Sequence, residues 1–248
     1  MTAPAILVEN VTKNFGGVRA VDDVSFQVPP GERRVLIGPN GAGKTTLFHC
    51  ITGTLRASTG SVKLFGHNVT TLPENRRTDL GMGRTFQITN VLTDLTVVEN
   101  VSLAIVGTDR RKWMMHRTMS ALADVRKQAI RGLEIVGLSA RIDEPVKLLS
   151  YGERRQLELA LALNTNPKVL FLDEPCAGLS PSERQRISSL VRALPREITI
   201  VMIEHDMDVA LGIADRVTVL NRGRLMVEGT PLEVQANPQV RDVYFGHA

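Results

Sequence analysis

The chain has 248 residues, 43% of them hydrophobic and 23% charged, with a formal net charge of +4 at pH 7. That length suits one large α/β domain or a core with a small subdomain, and the ordinary apolar content excludes a disordered chain. Two cysteines, Cys50 and Cys176, exclude a disulfide framework, and no apolar run approaches the roughly 20 residues of a membrane helix.

The opening, Met1-Thr2-Ala3-Pro4-Ala5, lacks the basic and apolar regions of a signal peptide, so any membrane role is expected to come through a partner. Both cysteines read as small core residues in a reducing compartment. The mild positive charge suits a membrane surface, a nucleic acid or a nucleotide, and selects none of them.

From Ile6 to Gly31 the pattern is strand and turn. Val24, Phe26 and Val28 alternate with Ser25 and Gln27, as in a half-buried strand, and Pro29-Pro30-Gly31 is a turn. Arg34-Val35-Leu36-Ile37 predicts a short buried strand. It leads into Gly38-Pro39-Asn40-Gly41-Ala42-Gly43-Lys44-Thr45-Thr46, which fits the phosphate-loop (Walker A) pattern G-x-x-x-x-G-K-[ST]. Glycines let a backbone wrap phosphate oxygens, successive N–H groups make an anion nest, and the helix predicted from Lys44 adds its positive end. Lys44 offers a mobile charge to the β- and γ-phosphates, and the Thr45 hydroxyl is a hard oxygen ligand for Mg²⁺. Ser61 to Phe65 alternates again, and the short turns between these early strands predict antiparallel pairing.

After Gln87 the pattern turns helical. Thr96-Val97-Val98-Glu99 has capping-box spacing. Leu122, Val125, Ala129, Leu133 and Val136 recur at helical spacing, with Gly137 placed as a stop. Thr108 to Arg117 reads as a basic connection carrying Trp113-Met114-Met115. Residues 88–163 read as a helical insertion, with 1–87 and 164–248 forming the surrounding core. Leu149-Ser150-Tyr151-Gly152-Glu153 opens a further helix with Ser150 as N-cap. Taken alone, these residues read as an ordinary capped helix.

From Val169 the order is strand, helix, strand, helix, strand. Val169-Leu170-Phe171-Leu172 and Ile198 to Ile203 are continuous apolar runs, which suit parallel strands covered on both faces. Arg216–Asn221 and Arg224–Glu228 flank Arg222-Gly223 as an edge hairpin, and Pro231 to Ala248 carries helix-start and turn signals. The run before Asp173-Glu174 places both acids at the carboxyl edge of the sheet, where open α/β sheets bind ligands. Asp173 suits a Mg²⁺ shell, and Glu174 suits a base that polarises water.

In chain order, Gly38–Thr45, Gln87, Leu149–Glu153, Asp173-Glu174 and His205 together resemble an ATP-binding-cassette ATPase. The resemblance implies an α/β fold, a P-loop NTPase cassette with a mixed or parallel sheet core, an antiparallel β subdomain and an inserted helical subdomain. It implies ATP and Mg²⁺ as cofactors and a second such ATPase, identical or related, as partner. ATP would lie between one subunit's phosphate loop and the other's Ser150, Tyr151, Gly152 and Glu153. Phe15 resembles the aromatic that stacks on adenine, Gln87 the residue linking Mg²⁺ and water to the transport partner, and His205 the switch that contacts the γ-phosphate.

Phe15-Gly16-Gly17, Arg84-Thr85-Phe86-Gln87, Leu149-Ser150-Tyr151-Gly152, Ile203-Glu204-His205-Asp206-Met207 and Val243-Tyr244-Phe245-Gly246 narrow the resemblance. They are similar to importer ATPases for branched-chain amino acids and related amides. The implied partners are integral membrane permease subunits and an extracytoplasmic solute-binding protein, with no nucleic acid, and the implied place is the cytoplasmic face of the inner membrane. Urea-type importers and the ATPase of lipopolysaccharide export share many of these features. A soluble cassette ATPase of cluster assembly is a further alternative. Tyr151 stands where many cassettes have Gly and Glu153 where many have Gln, as in the subfamily resembled. Ser180 stands where Asp is usual, which puts in doubt the cross-subunit bonding assigned to that loop. His49, His67, His116 and His247 show no metal-ligand spacing and read as structural or surface.

Overall fold

The computed structural model describes residues 3–85, 91–108 and 119–245. Gln87, the Trp113-Met114-Met115 segment, His116, Gly246 and His247 therefore lie outside the described residues.

The chain opens with β1 (Ile6–Phe15) and β2 (Val18–Val28), which pair antiparallel. Next come β3 (Arg33–Ile37) and the helix α1 (Lys44–Thr52), then β4 (Thr59–Leu64), β5 (His67–Asn68), α2 (Glu74–Thr78) and β6 (Met82–Arg84). The middle is helical, with α3 (Val97–Thr108), α4 (Met119–Ile135), two single 3₁₀ turns and α5 (Tyr151–Leu163). The chain then runs through β7 (Val169–Asp173), α6 (Pro181–Ala193), β8 (Thr199–Ile203), α7 (Met207–Ile213), β9 (Arg216–Asn221), β10 (Arg224–Gly229), α8 (Pro231–Ala236) and α9 (Pro238–Phe245).

Among the described residues these strands form two sheets. The antiparallel sheet has the order β2-β1-β4-β5, and the larger one the order β10-β9-β3-β8-β7-β6. In the larger sheet β9-β3-β8-β7-β6 are parallel and only β10 runs antiparallel, as the outer half of a hairpin. Its strands β3, β7 and β8 are buried along their whole length, and alternate residues serve opposite faces. Val35, Leu170, Leu172, Ile200 and Met202 join one apolar core with the helical middle and α6 to α9. Leu36, Val169, Phe171, Val201 and Ile203 join a second core with α1 and the antiparallel sheet. Burial on both faces is why these strands read as unbroken apolar runs.

Strand order fixes what meets at the carboxyl edge. β8 lies between β3 and β7, with Leu36 beside Ile203 and Asp173 beside Ile203. The phosphate loop, Asp173-Glu174 and Glu204-His205 therefore leave the sheet side by side. In the helical middle, Glu99 accepts from the Thr96 N–H at 2.7 Å while the Thr96 hydroxyl accepts from the Glu99 N–H at 3.3 Å, so the capping box forms. Gly137 lies at φ 76°, where a left-handed residue ends a helix.

Candidate nucleotide site

The loop between β3 and α1 is held from below by strands β2 and β9 and by the Arg222-Gly223 turn. A Cβ on Gly38 would lie 2.2 Å from the Leu220 carbonyl oxygen, and one on Gly43, at φ 94°, would lie 2.3 Å from that of Ala20. Only glycine fits such approaches. The Ala42 N–H donates to the Pro39 carbonyl at 3.1 Å, and the Gly223 N–H to the Ala42 carbonyl at 3.0 Å. Asn40 and Gly41 stand exposed at the crest, Pro39 is half-buried, and Thr45 and Thr46 are half-buried in the first turn of α1. Lys44 is 5% exposed, and its ammonium donates to the carbonyls of Gly38 at 2.7 Å and Pro39 at 3.0 Å. Burial pushes that ammonium below the ordinary lysine range, and the Glu174 carboxylate pulls it back. Tyr244 of α9 is half-buried beside the loop. Burial pushes its phenol up to about 12, with the Gly38 backbone pulling the other way.

Asp173 ends β7 and is 1% exposed. Both of its carboxylate oxygens are buried without a hydrogen-bond partner. Its nearest basic side chains are Arg84, with Nη2 at 3.8 Å, and the His49 ring, with Nε2 at 4.0 Å, which burial and Arg84 hold toward its neutral form. Burial raises its carboxyl, and Arg84 opposes that rise. Buried acceptors left open in this way suit a hard, oxygen-seeking cation or its water shell.

Glu174 turns sharply at φ 48°, and its N–H donates to the Ile203 carbonyl at 3.1 Å. Its Oε1 lies 2.6 Å from His205 Nε2. The structure thus brings Glu174 and His205 into contact, with Lys44 close enough to feel the Glu174 charge.

Ser150 caps α5, and its hydroxyl accepts from the Glu153 N–H at 3.2 Å while Glu153 accepts from the Ser150 N–H at 2.8 Å. Arg141 Nε donates to Glu153 at 3.0 Å. Gly152 is buried, and a Cβ there would lie 2.3 Å from Glu183 Oε1. That Glu183 belongs to the capping box of α6, whose N-cap is Ser180. The exposed Tyr151 ring lies 5.2 Å from the Arg155 guanidinium, and its hydroxyl accepts from Arg155 at 2.8 Å. These residues therefore contact α6, Arg141, the Ala177 carbonyl and their own helix, and among the described residues none of these contacts is with the phosphate loop of the same chain. Phe15 is 47% exposed at the end of β1, with Lys13 Nζ 5.0 Å from its ring centroid.

Three nearby groups escape a reading of the sequence. Arg84 appears there only as part of a run, and its approach to Asp173 depends on the pairing of β6 with β7. His49, read as structural or surface, lies half-buried against Asp173. Its position four residues after Thr45, on one face of α1, is the signal for it. Glu183 carries no local sign that it fills the space beside Gly152.

Residues 21–177 match the family model described as ABC transporter, and residues 224–248 match that of the branched-chain amino acid ATP-binding cassette transporter. The chain is 36% identical to the high-affinity branched-chain amino acid transport ATP-binding protein LivG of Escherichia coli (strain K12), across 100% of both chains. It superposes on the ADP conformation of MJ1267, an ATP-binding cassette of an ABC transporter, with a TM-score of 0.85 and 31% identity, covering 99% of this chain and 100% of that one. A dimeric post-hydrolysis state of the ATP-binding cassette MJ0796 bound to ADP and Pi gives a TM-score of 0.78 and 25% identity over 91% of this chain and 98% of that one. With that fold, that loop and that acidic edge, the chain belongs to the ABC transporter family of ATP-binding cassettes and is an ATPase.

Proposed function

We propose that this ATPase drives import of a branched-chain amino acid, or a related small amino acid or amide, through separate integral membrane permease subunits. The observation that carries this reading is the 2.6 Å contact of Glu174 with His205 beside the phosphate loop, in a chain whose last residues match the branched-chain model. Among the described residues no helix is long and apolar enough to cross a membrane, which agrees with a subunit seated on permeases at the cytoplasmic face of the inner membrane. A solute-binding protein outside the membrane would supply selectivity.

In this reading residues 1–87 and 164–248 form the nucleotide-binding core, and residues 88–163 form the helical signature subdomain. Phe15 offers its exposed ring to adenine. The Gly38–Thr46 backbone and Lys44 hold the phosphates. Thr45 and Asp173, with Gln87, would hold Mg²⁺, which supplies charge neutralisation at the β- and γ-phosphates. Glu174 polarises the attacking water, and His205 orients Glu174 and meets the γ-phosphate. Ser150, Tyr151, Gly152 and Glu153 serve the nucleotide of a second ATPase subunit. The exposure of Ser150 and Tyr151 agrees with a surface kept for that partner.

The test is reconstitution with the permease subunits and binding protein of the same system. Stimulation of ATP hydrolysis by leucine, isoleucine, valine or a short amide supports the proposal. A complex that forms but responds to none of them refutes the solute class, and a chain that never associates with permeases refutes the transport role.

A further inference from the structure

Glu204 is a carboxylate that none of these roles uses. It is the first residue after β8 and is 2% exposed. Its N–H donates to the Leu36 carbonyl at 3.3 Å, on the strand that feeds the phosphate loop. Its Oε1 accepts from the Cys176 N–H at 3.1 Å, and its Oε2 accepts from the His205 N–H at 3.2 Å. Cys176 lies two residues after Glu174 in the turn that leaves β7. One side chain thus ties together the exits of β7 and β8, and its backbone ties both to β3.

An anion buried this deeply is costly unless its surroundings satisfy it. Burial pushes the Glu204 carboxyl up, and the N–H groups of Cys176, His205 and Asp206 pull it down. A less costly residue would serve if the strand exits needed only filling. A carboxylate offers two acceptor oxygens at fixed separation, whereas a glutamine amide offers one and turns its NH₂ toward the other N–H donor.

We propose that Glu204 is a positioning residue for ATP hydrolysis: by bridging the Cys176 and His205 N–H groups it sets the approach of the Glu174 carboxylate to the His205 ring. The proposal rests on the reading of Glu174 and His205 as the water-polarising base and its switch. With the bridge intact those two side chains meet at 2.6 Å. Without it, among the described residues, the main-chain bond left between the two turns is that of the Glu174 N–H to the Ile203 carbonyl, and the Glu174–His205 pair loses register. A displacement of about 1 Å at a reacting group costs on the order of 10²-fold in rate.

The experiment is a double-mutant cycle on steady-state ATPase kinetics with Glu204→Gln, His205→Ala and the pair, each variant first shown to be folded. The expected result is a fall in kcat of roughly 10- to 100-fold for Glu204→Gln, with KM for ATP within about twofold of the parent. In the His205→Ala background the same change should cost about twofold or less, because the pair it positions is already gone. Equal losses in both backgrounds make Glu204 a merely structural residue and overturn the proposal. Parental activity of His205→Ala refutes the reading beneath it, and the proposal with it. Should Glu204→Gln fail to fold, Glu204→Asp takes its place in the cycle, since it keeps the charge but is one methylene too short to span both amides. In the parent itself, the Cys176 and His205 amides should be protected from hydrogen exchange, and rapid exchange of either also overturns the bridge.

Discussion

Lys44 spends its charge on its own loop before any phosphate arrives, and replacing it by methionine tests what that exchange is worth. The ammonium donates to Gly38 at 2.7 Å and Pro39 at 3.0 Å, so bound phosphates must replace these bonds rather than add to them. Charged hydrogen bonds are worth about 1.5–3 kcal/mol each. A net gain of one such bond predicts that Lys44→Met weakens ATP binding by roughly 10- to 150-fold. The free protein should respond differently. Burial lowers the folded-state pKa of Lys44, so below that pKa the charge works against folding. Between the folded and unfolded values the unfolded chain binds the extra proton, and stability rises with pH. The Met variant lacks this term: relative to the parent it should be best placed at neutral pH, and that advantage should fade in alkali. Calorimetric titration with a non-hydrolysable ATP analogue and denaturant unfolding at two pH values measure both arms. Parental affinity in the variant would refute the assignment of Lys44 to the phosphates.

Glu174→Gln should retain ATP binding but lose about 10²–10⁴ in turnover, and with ATP it should form a dimer that ADP does not support; sedimentation and a phosphate-release assay check both. That dimer is better challenged at the exposed Ser150, with Ser150→Glu expected to abolish it, because any side chain at Gly152 first meets Glu183 of its own chain. Leu92 is 54% exposed where the core gives way to the helical middle, the junction at which a permease segment is expected to dock, so Leu92→Glu should fold and bind nucleotide normally while losing assembly with permeases in a pull-down; a misfolded variant would refute that docking role. Cys176 is 3% exposed and burial pushes its thiol up to about 12, so iodoacetamide at pH 8 should leave it unmodified until the chain is unfolded, as mass spectrometry reads out.

Local signals in the sequence translated well into structure. The capping box expected at Thr96 forms between residues three apart, and Ser150, read as an N-cap, caps α5 and completes a capping box with Glu153 as well. The apolar runs of β7 and β8 became strands because burial on both faces leaves no polar alternation to misread. What stayed hidden depends on distant pairing. Nothing in the chain order says that β8 runs between β3 and β7, yet that order brings His205 to Glu174. Arg77 looks like a surface cation in a short polar stretch. It is instead 1% exposed and donates to the carbonyls of Cys50, Ile51, Leu72 and Thr70, which closes the end of α1. A guanidinium satisfied by main-chain oxygens leaves no acidic partner in the sequence to betray it.

The phosphate loop sits directly against the main chain of Ala20 and Leu220 and bonds to Gly223, three points distant in sequence. Its curvature is therefore settled when the protein folds, and the ordering entropy is spent then rather than at the encounter with nucleotide. Nucleotide should enter with a small heat-capacity change, since no segment of the loop has to fold around it. The dependence also runs backward. Crowding the Arg222-Gly223 turn, as Gly223→Val would, should register as lost nucleotide affinity from a residue that never touches a phosphate.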